Sequence, residues 1–537
     1  MQWLSRTLQG LSQDWSHDPA AMPNARKYLI CVVIAFGQFM ALFDIQIVSA
    51  SLSDVQAGLA AGPDEVSWVQ TAYLMAELVM IPLSAYLARA MSSRWLFAFS
   101  SGAFTFFSLM CGLSWNIESM IIFRALQGFT GGAMVPLVFA IGFTIFTGKQ
   151  RSVSTAILGT VTVLAPTLGP TAGGLITDML DWRWLFFINV LPGIAVAILS
   201  MLVVRVDKGN MSMFRKIDWS HFIAMAVFLG GLEYVLEEGP KKDWLGDPTV
   251  AIVAWLSFVA FLLFLQRAFR SDNPLVSLRP LRKPVFAFAC LFSLVTGFGM
   301  YSSIYLVPLY LARVRGYDSL QIGTTVVVVG AAQLVSTVIA ASLIQRVDLR
   351  WMIGAGLLLF AASLWQTSYL TPEWGFWELA LPQALRGLAM MLCVVPCVNM
   401  ALTPFTAAEL PAASGLFNVM RNLGGAIGIA VVNTWLQDNS RIAASRIGEA
   451  MGHGPQGAQD MVAALAARFS AQFPDPAVAT MAAKAQLARI VGQQAVTLAF
   501  NDAFRLMCWM FLGALMLVPL CRSVRAGHSP DAAASAH

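Results

Sequence analysis

Apolar residues in this chain gather into long unbroken runs, separated by short segments where the charges collect. Fourteen runs lie at roughly 28–51, 67–90, 95–114, 118–146, 152–177, 184–204, 219–237, 248–267, 284–310, 319–345, 351–370, 375–402, 411–436 and 497–521. A helix needs about 17–25 apolar residues to cross the hydrocarbon core, and each run is of that order. They predict transmembrane helices and not a barrel. The first run starts too late and runs too long for a signal peptide, and no small-residue cleavage site follows it, so it reads as a span. Residues 438–495 break the rhythm: they are polar and Ala-rich, with "MVAALAARFSAQF" and "AVATMAAKAQLARIVGQQA" at helical period. They predict a helical excursion outside the membrane, with a solvated spacer as the alternative.

Composition sharpens this picture. Hydrophobic residues make up 58% of the chain and charged ones 12%, against about 45–50% and 25% in soluble domains, which excludes a water-soluble globule. An N-terminus in the cytoplasm puts twenty Lys and Arg in the inside segments, leaving five, Arg183, Lys241, Lys242, Arg313 and Arg315, in the short outside loops. That asymmetry satisfies the positive-inside rule and predicts cytoplasmic termini, 1–27 and 522–537. The net charge of +5 is then a topology signal, with no nucleic-acid partner implied. All seven cysteines fall within or at the ends of spans, without disulfide or zinc spacing, so no metal or cofactor is expected. The nearest approach to a phosphate-binding loop, Gly142 to Lys149, has the wrong glycine spacing and lacks the Ser/Thr that binds magnesium.

Internal symmetry organises the spans. "RALQGFTGGAMVPL" (Arg124 to Leu137) parallels "QALRGLAMMLCVVPC" (Gln383 to Cys397), and "ARAMSSRWLF" parallels "QRVDLRWMIG". The offset is eight spans, which a six-plus-six duplication with two inserted spans explains. The expected organisation is a six-helix bundle at 28–206, linkers and an inserted helix pair at 207–283, and a second six-helix bundle at 284–521 that carries the 438–495 segment.

Several ionisable residues interrupt the apolar runs. "FMALFDIQIVSAS" buries Asp44 in span 1; Glu77 sits in span 2, Arg124 in span 4 and Arg386 in span 12. An aspartate at mid-membrane costs on the order of 2.5–3.5 kcal/mol and must gain partners or a hydrated cavity. Counting about 1.5 Å per residue from each outer helix end puts Asp44 about 12 Å deep and Arg124 about 10 Å, with Glu77 and Arg386 near ~16 Å. The expectation is one functional layer holding all four; the alternative is a static Asp44–Arg124 pair that fixes packing. Gln127 lies one turn from Arg124, and Gly128 with Gly132 forms a surface for close helix approach. Arginine stays charged and so sets the state of its carboxylate partner without carrying the proton. In span 5, "GTVTVLAPTLGPTAGG" runs from Gly159 to Gly174: Pro166 and Pro170 remove helix hydrogen bonds, and Gly169 and Gly173 leave a groove, as suits a gate between bundles. Glu233 and Glu237, near the outer end of span 7, read as interfacial and solvated. Arg421 on span 13 reads as packing plus an interior charge, and Asp502 with Arg505 as a local ion pair.

These motifs resemble a known family. "RALQGFTGGAMVPL" is similar to the span-4 motif of the major facilitator superfamily, and "LAPTLGPTAGG" to the span-5 motif of its proton-coupled antiporters. "FMALFDIQIVSASL", "SWVQTAYLMAELVMIPL", "DWRWLFFINVLPG" and "RNLGGAIGIAV" resemble signatures of the fourteen-span drug:proton antiporter branch, the EmrB/QacA-type exporters. The resemblance spans about residues 28 to 521. It implies the major facilitator fold, a proton or cargo role for Asp44, a proton-pathway role for Arg124, and a gating role for Gly159, Pro166, Gly169, Pro170, Gly173 and Gly174. The position of 438–495 implies a periplasmic adaptor (membrane fusion protein) and an outer-membrane channel as partners. One departure stands out: "AYLARAMSSRW" carries Arg89 where the superfamily's span 2–3 motif has an aspartate, so the usual cytoplasmic gate contact is missing from its place.

The expected protein is an all-α membrane protein of fourteen helices: a proton-coupled exporter of amphipathic or aromatic toxicants in the bacterial inner membrane, and not an enzyme. Its 26 Met and 35 Phe suit an adaptable cavity. The rivals are an uptake symporter of the same fold, against which the span-5 motif argues, and a membrane-embedded enzyme or receptor, for which the chain offers no catalytic set or effector domain.

Overall fold

The computed structural model describes residues 21–270, 275–344, 346–406, 409–452, 455–470 and 475–521. Eighteen α-helices make up the described chain. In order they are α1 (Asn24–Ala50), α2 (Leu52–Gly58), α3 (Pro63–Met91), α4 (Ser93–Gly112), α5 (Ile117–Gly131), α6 (Met134–Ile145), α7 (Gly148–Met179), α8 (Trp184–Phe187) and α9 (Val190–Val203). Then follow α10 (Trp219–Glu238), α11 (Pro248–Arg270), α12 (Pro284–Tyr310), α13 (Ser319–Leu343), α14 (Leu349–Thr367), α15 (Phe376–Leu402), α16 (Leu410–Gly452), α17 (Pro455–Phe469) and α18 (Pro476–Leu515). Thirteen of the described helical segments are long and apolar enough to cross a membrane; a fourteenth is α7, counted as one span through its 41° bend.

Local chemistry sets the boundaries. Asn116 caps α5, and Asp318 caps α13 with Gln321 answering back, side-chain oxygens taking the orphan amides of the first turn. Pro136 and Pro192 explain two broken spans. Each stands in the first turn of its helix and offers no amide to the preceding turn, so the chain steps at 131–134 and again at 187–190. The bend in α7 falls between its 153–162 and 167–179 arms, and Pro166 lies in that break.

Helices α1 to α9 pack among themselves, as do α12 to α16 with α18. The two groups meet where α7 lies on α13 and α15, and where α16 lies on α3 and α6. A hydrogen bond from Ser414 Oγ to the Pro136 carbonyl, 2.8 Å, crosses this seam. In the inserted pair, α10 touches both groups through α3 and α16, while α11 packs on α10 and leaves Trp255, Phe258 and Leu262 exposed. That is the pattern of a helix facing lipid.

The last two spans depart from the apolar runs. α16 has 43 residues and α18 has 40; at about 1.5 Å per residue each is roughly 60 Å long, twice the hydrocarbon thickness. They continue beyond the membrane as helix, and α17 packs on α18. Gln493 Nε2, donating to the Val314 carbonyl at 2.8 Å, ties the base of α18 to the turn after α12. The 438–495 segment is therefore a helical projection over its described residues, as its periodicity predicts.

The missing aspartate of the span 2–3 turn is replaced from a distance. Asp207, just after α9, accepts hydrogen bonds from the Ser93 amide (2.9 and 3.0 Å) and Ser93 Oγ (2.7 Å), capping the start of α4. Burial lifts its carboxyl above the usual range, while the Ser93 donors and the Arg94 charge pull it back. The linker is strapped to the same turn by Tyr86 Oη, which donates to the Met213 carbonyl at 2.6 Å.

Candidate transport site

Asp44 and Arg124 meet inside the first bundle, both with no exposed surface. Arg124 Nη1 donates to Asp44 Oδ2 at 2.6 Å and to Gln127 Oε1 at 2.8 Å, while Arg124 Nε donates to the Val69 carbonyl at 3.2 Å. Gln127 Nε2 donates to the other carboxylate oxygen, Oδ1, at 3.1 Å. Gly128 and Gly132 make this possible. A Cβ on Gly128 would lie 2.3 Å from the Tyr73 carbonyl oxygen, and one on Gly132 would lie 2.7 Å from that of Glu77, so α5 sits directly on the α3 backbone. The same approach places the Arg124 guanidinium 4.3 Å from the centre of the Tyr73 ring.

Asn189 completes the network. The chain step ahead of Pro192 holds Asn189 between α8 and α9, where its Nδ2 donates to Asp44 Oδ1 at 2.7 Å and to Ser108 Oγ at 3.1 Å. Ser108 in turn donates to the Phe186 carbonyl at 2.9 Å. Asp44 thus has three donors from two other spans and a balanced charge, sealed from water. Asn189 is not among the site residues expected from the sequence. Its signal in "FFINVLPG" is a polar amide in an apolar run, shortly before a proline.

Glu77 is different. It is 5% exposed and has no hydrogen-bond or ion-pair partner among the described residues. The charges acting on it are Arg421, then Arg124, with Asp44 opposing. Arg421 belongs to α16, in the other bundle; its Nη2 donates to Asn418 Oδ1 at 2.6 Å, while Nε and Nη1 have no partner. A buried carboxylate and a half-satisfied guanidinium therefore face one another across the seam without closing.

Arg386 does not join this group, although the depth count put it in the same layer. It bonds Gln383 and, at 3.4 Å, the Ser303 carbonyl, both in the second bundle. Equal depth fixes a layer but not the direction around the helix, and Arg386 points into its own bundle. Glu233 also differs from its expected solvated place: it is 6% exposed, because α10 packs on α3. Asp502 and Arg505 form the expected local pair at 3.4 Å.

The span-5 motif lies between bundles. On one face, Cβ atoms on Gly169 and Gly173 would lie 2.3 Å from the Gln46 side chain and 2.6 Å from the Ile47 carbonyl, so α7 is pressed on α1. On the other, Gly159 faces Val394 of α15, the Thr160 and Thr337 hydroxyls bond each other, and Thr171 abuts Gly323 of α13. Gly174 is buried, and Pro170, one turn beyond Pro166, is half-buried in the outer arm.

Two bundles, a polar network in the first and a glycine–proline helix on the seam are what comparison with known proteins has to match. The profile of the Major Facilitator Superfamily matches residues 34–429. The colistin resistance protein EmrB of Acinetobacter baumannii is 34% identical over 498 residues, covering 92% of this chain and 96% of that protein. The chain belongs to the major facilitator superfamily. The multidrug export protein EmrB of Escherichia coli K12 is 25% identical over 498 residues, 93% of this chain and 96% of its own. A structure of the proton:xylose symporter XylE bound to 6-bromo-6-deoxy-D-glucose matches the fold with a TM-score of 0.59 at 11% identity, covering 94% of this chain and 98% of that one. Superfamily membership makes this multi-pass membrane protein a transporter and not an enzyme. It takes small molecules as cargo.

Proposed function

We propose that this transporter exports amphipathic or aromatic drugs and toxicants across the bacterial inner membrane in exchange for protons, with both termini in the cytoplasm. The export direction draws on its likeness to proteins named for multidrug export and colistin resistance. The observation that carries the coupling is Glu77, a buried carboxylate without a donor that faces Arg421 across the bundle seam. Charged, Glu77 draws α3 and α16 together; protonated, it releases them, and the bundles rock about the seam with α7 bending at Pro166. The Asp44–Arg124–Gln127–Asn189 network acts as the rigid frame of the first bundle, with Arg124 placed to feel the state of Glu77.

The helical projection of α16, α17 and α18 is the docking element for a periplasmic adaptor, which connects to an outer-membrane channel. Its side chains Ile442, Met461 and Met481 are about half exposed or more, as a docking face requires. Deleting residues 440–490 is expected to spare dye transport in vesicles and to remove resistance in whole cells. Loss of both, or of neither, contradicts docking.

Inside-out membrane vesicles test the whole reading. With a pH gradient imposed, acid inside, ethidium is expected to accumulate in the lumen and to leak out when nigericin collapses the gradient. Ethidium movement out of the lumen, with protons, indicates the uptake symporter; no movement beyond that of vesicles lacking the protein contradicts the exporter.

A further inference from the structure

The inserted helix α10 lies antiparallel on α3 in a register fixed by three contacts. Ser67 Oγ donates to Glu238 Oε1 at 3.4 Å, the Trp68 and Tyr234 rings lie 5.5 Å apart, and Gly230 faces the Met75 and Val79 side chains. This register sets Glu233 between the levels of Trp68 and Met75, and Glu77 one step further along α3. Glu237 stands a helical turn outward from Glu233.

The acidic residues of α10 are not equivalent. Glu238 is buried and answered by Lys241 at 3.0 Å and Lys242 at 3.3 Å. Glu237 is 26% exposed at its side chain and pairs with Lys241 at 3.3 Å. Glu233 is 6% exposed and has no hydrogen-bond or ion-pair partner among the described residues. The charges acting on Glu233 are Glu237 and Glu77, both carboxylates. The charges acting on Glu77 are Arg421 of α16 and, from the first bundle, Arg124 and Asp44; Arg421 and Glu77 both act on Tyr301 of α12. A lysine thus compensates the outer members of the series, arginines of both bundles act on Glu77, and Glu233 alone meets only other carboxylates.

A buried carboxylate that has no donor and only other carboxylates for charged neighbours is stabilised by a proton, and the neighbour it can share that proton with on the inner side is Glu77. We propose that Glu233 is the outer station of a proton relay and hands its proton to Glu77 across the contact between α3 and α10. The relay rests on the proton-coupled reading given above. In the step, the O–H bond of Glu233 breaks as its proton passes to a water between the helices, and that water gives up another of its protons to form an O–H bond on a Glu77 oxygen. The Glu233 carboxylate left behind is reprotonated from outer water by way of the partly exposed Glu237. This gives the inserted pair a role, with α10 carrying the station and α11 packed on α10.

Dicyclohexylcarbodiimide, which attacks protonated carboxyls in apolar surroundings, provides the test. The purified full-length protein is treated across a pH series and its labelled peptides are mapped by mass spectrometry. Glu233 and Glu77 are expected to label, and Asp44 to be spared. Labelling of Glu233 is expected to fall as pH rises, and Glu77→Gln should cut it about threefold near neutral pH, since the facing charge that favours protonation is gone. In inside-out vesicles, Glu233→Gln should slow pH-driven ethidium accumulation about tenfold, with Glu233→Asp partly restoring it. An unlabelled Glu233, labelling indifferent to Glu77→Gln, or full pH-driven transport by Glu233→Gln overturns the relay. Coupled labelling in a wild-type protein that shows no pH-driven transport instead contradicts proton-coupled export, leaving the pair as a shared proton site.

Discussion

Two carboxylates lie one packing layer apart in this protein, and they are in opposite situations. Asp44 has no exposed surface and three donors, one of them an arginine at 2.6 Å. Glu77 is almost as buried and has no donor; Arg421, Arg124 and Asp44 act on it only as charges, and it acts in turn on a second unpartnered carboxylate, Glu233. A charge that is fully matched holds structure, whereas one left unmatched at a moving seam responds to protons. The difference separates two jobs that sequence position alone would assign to any acidic residue in a transmembrane helix.

Substitutions in the matched network should therefore damage the fold, and substitutions at the unmatched pair should damage coupling. The largest effect is expected for Arg124→Gln, which strands Asp44 in the interior and should cost about 3–5 kcal/mol in unfolding free energy. Arg124→Lys should lose less. Adding Asp44→Asn to Arg124→Gln should recover most of the loss, since an uncharged pair replaces a lone charge; thermal unfolding of the four proteins in detergent gives the cycle. A double variant no more stable than Arg124→Gln would break the comparison. Next comes Asn189→Ala, which removes one donor from Asp44 and should cost about 1.5–3 kcal/mol by the same assay. Asp207→Ala, which uncaps α4 at the turn between spans 2 and 3, should cost about 0.5–2 kcal/mol and leave dye transport measurable. The smallest stability effect, within about 0.5 kcal/mol of wild type or on the stabilising side, is expected for Glu77→Gln, because no partner is left behind.

The spans and the shared depth of Asp44 and Arg124 were legible in the sequence, whereas the contrast between Asp44 and Glu77 was not, and the failures share a cause. Long apolar runs expose the spans because a bilayer admits little else, and the pairing of Asp44 with Arg124 followed from equal depth. Depth is a single coordinate, however. It put Arg386 in the same layer, although helix azimuth turns that side chain toward Gln383 and Ser303. Hydropathy edges likewise placed Glu233 near the interface, where only the register of α10 on α3 reveals that it is enclosed. Asn189 was hidden because a neutral amide barely marks a hydropathy profile, and because its direction is set by a chain step that two broken helices make together. The far halves of α16 and α18 lie outside the apolar runs, where the helix continues after the hydrophobicity stops, and there the helical period of 438–495 was the legible signal. The missing aspartate of the span 2–3 turn shows the opposite lesson, a local gap filled by Asp207 from more than a hundred residues away.

The central claim is that coupling resides in Glu77 at the seam and not in the sealed Asp44 network. Counterflow in proteoliposomes tests it most directly, comparing ethidium exchange without any gradient with ethidium accumulation under an imposed pH difference in the same Glu77→Gln preparation. Exchange near the wild-type rate with pH-driven accumulation lost is the expected result, because bundles that still rock would no longer require a proton. Accumulation at the wild-type level, or loss of exchange together with accumulation in a protein that unfolds normally, would contradict it.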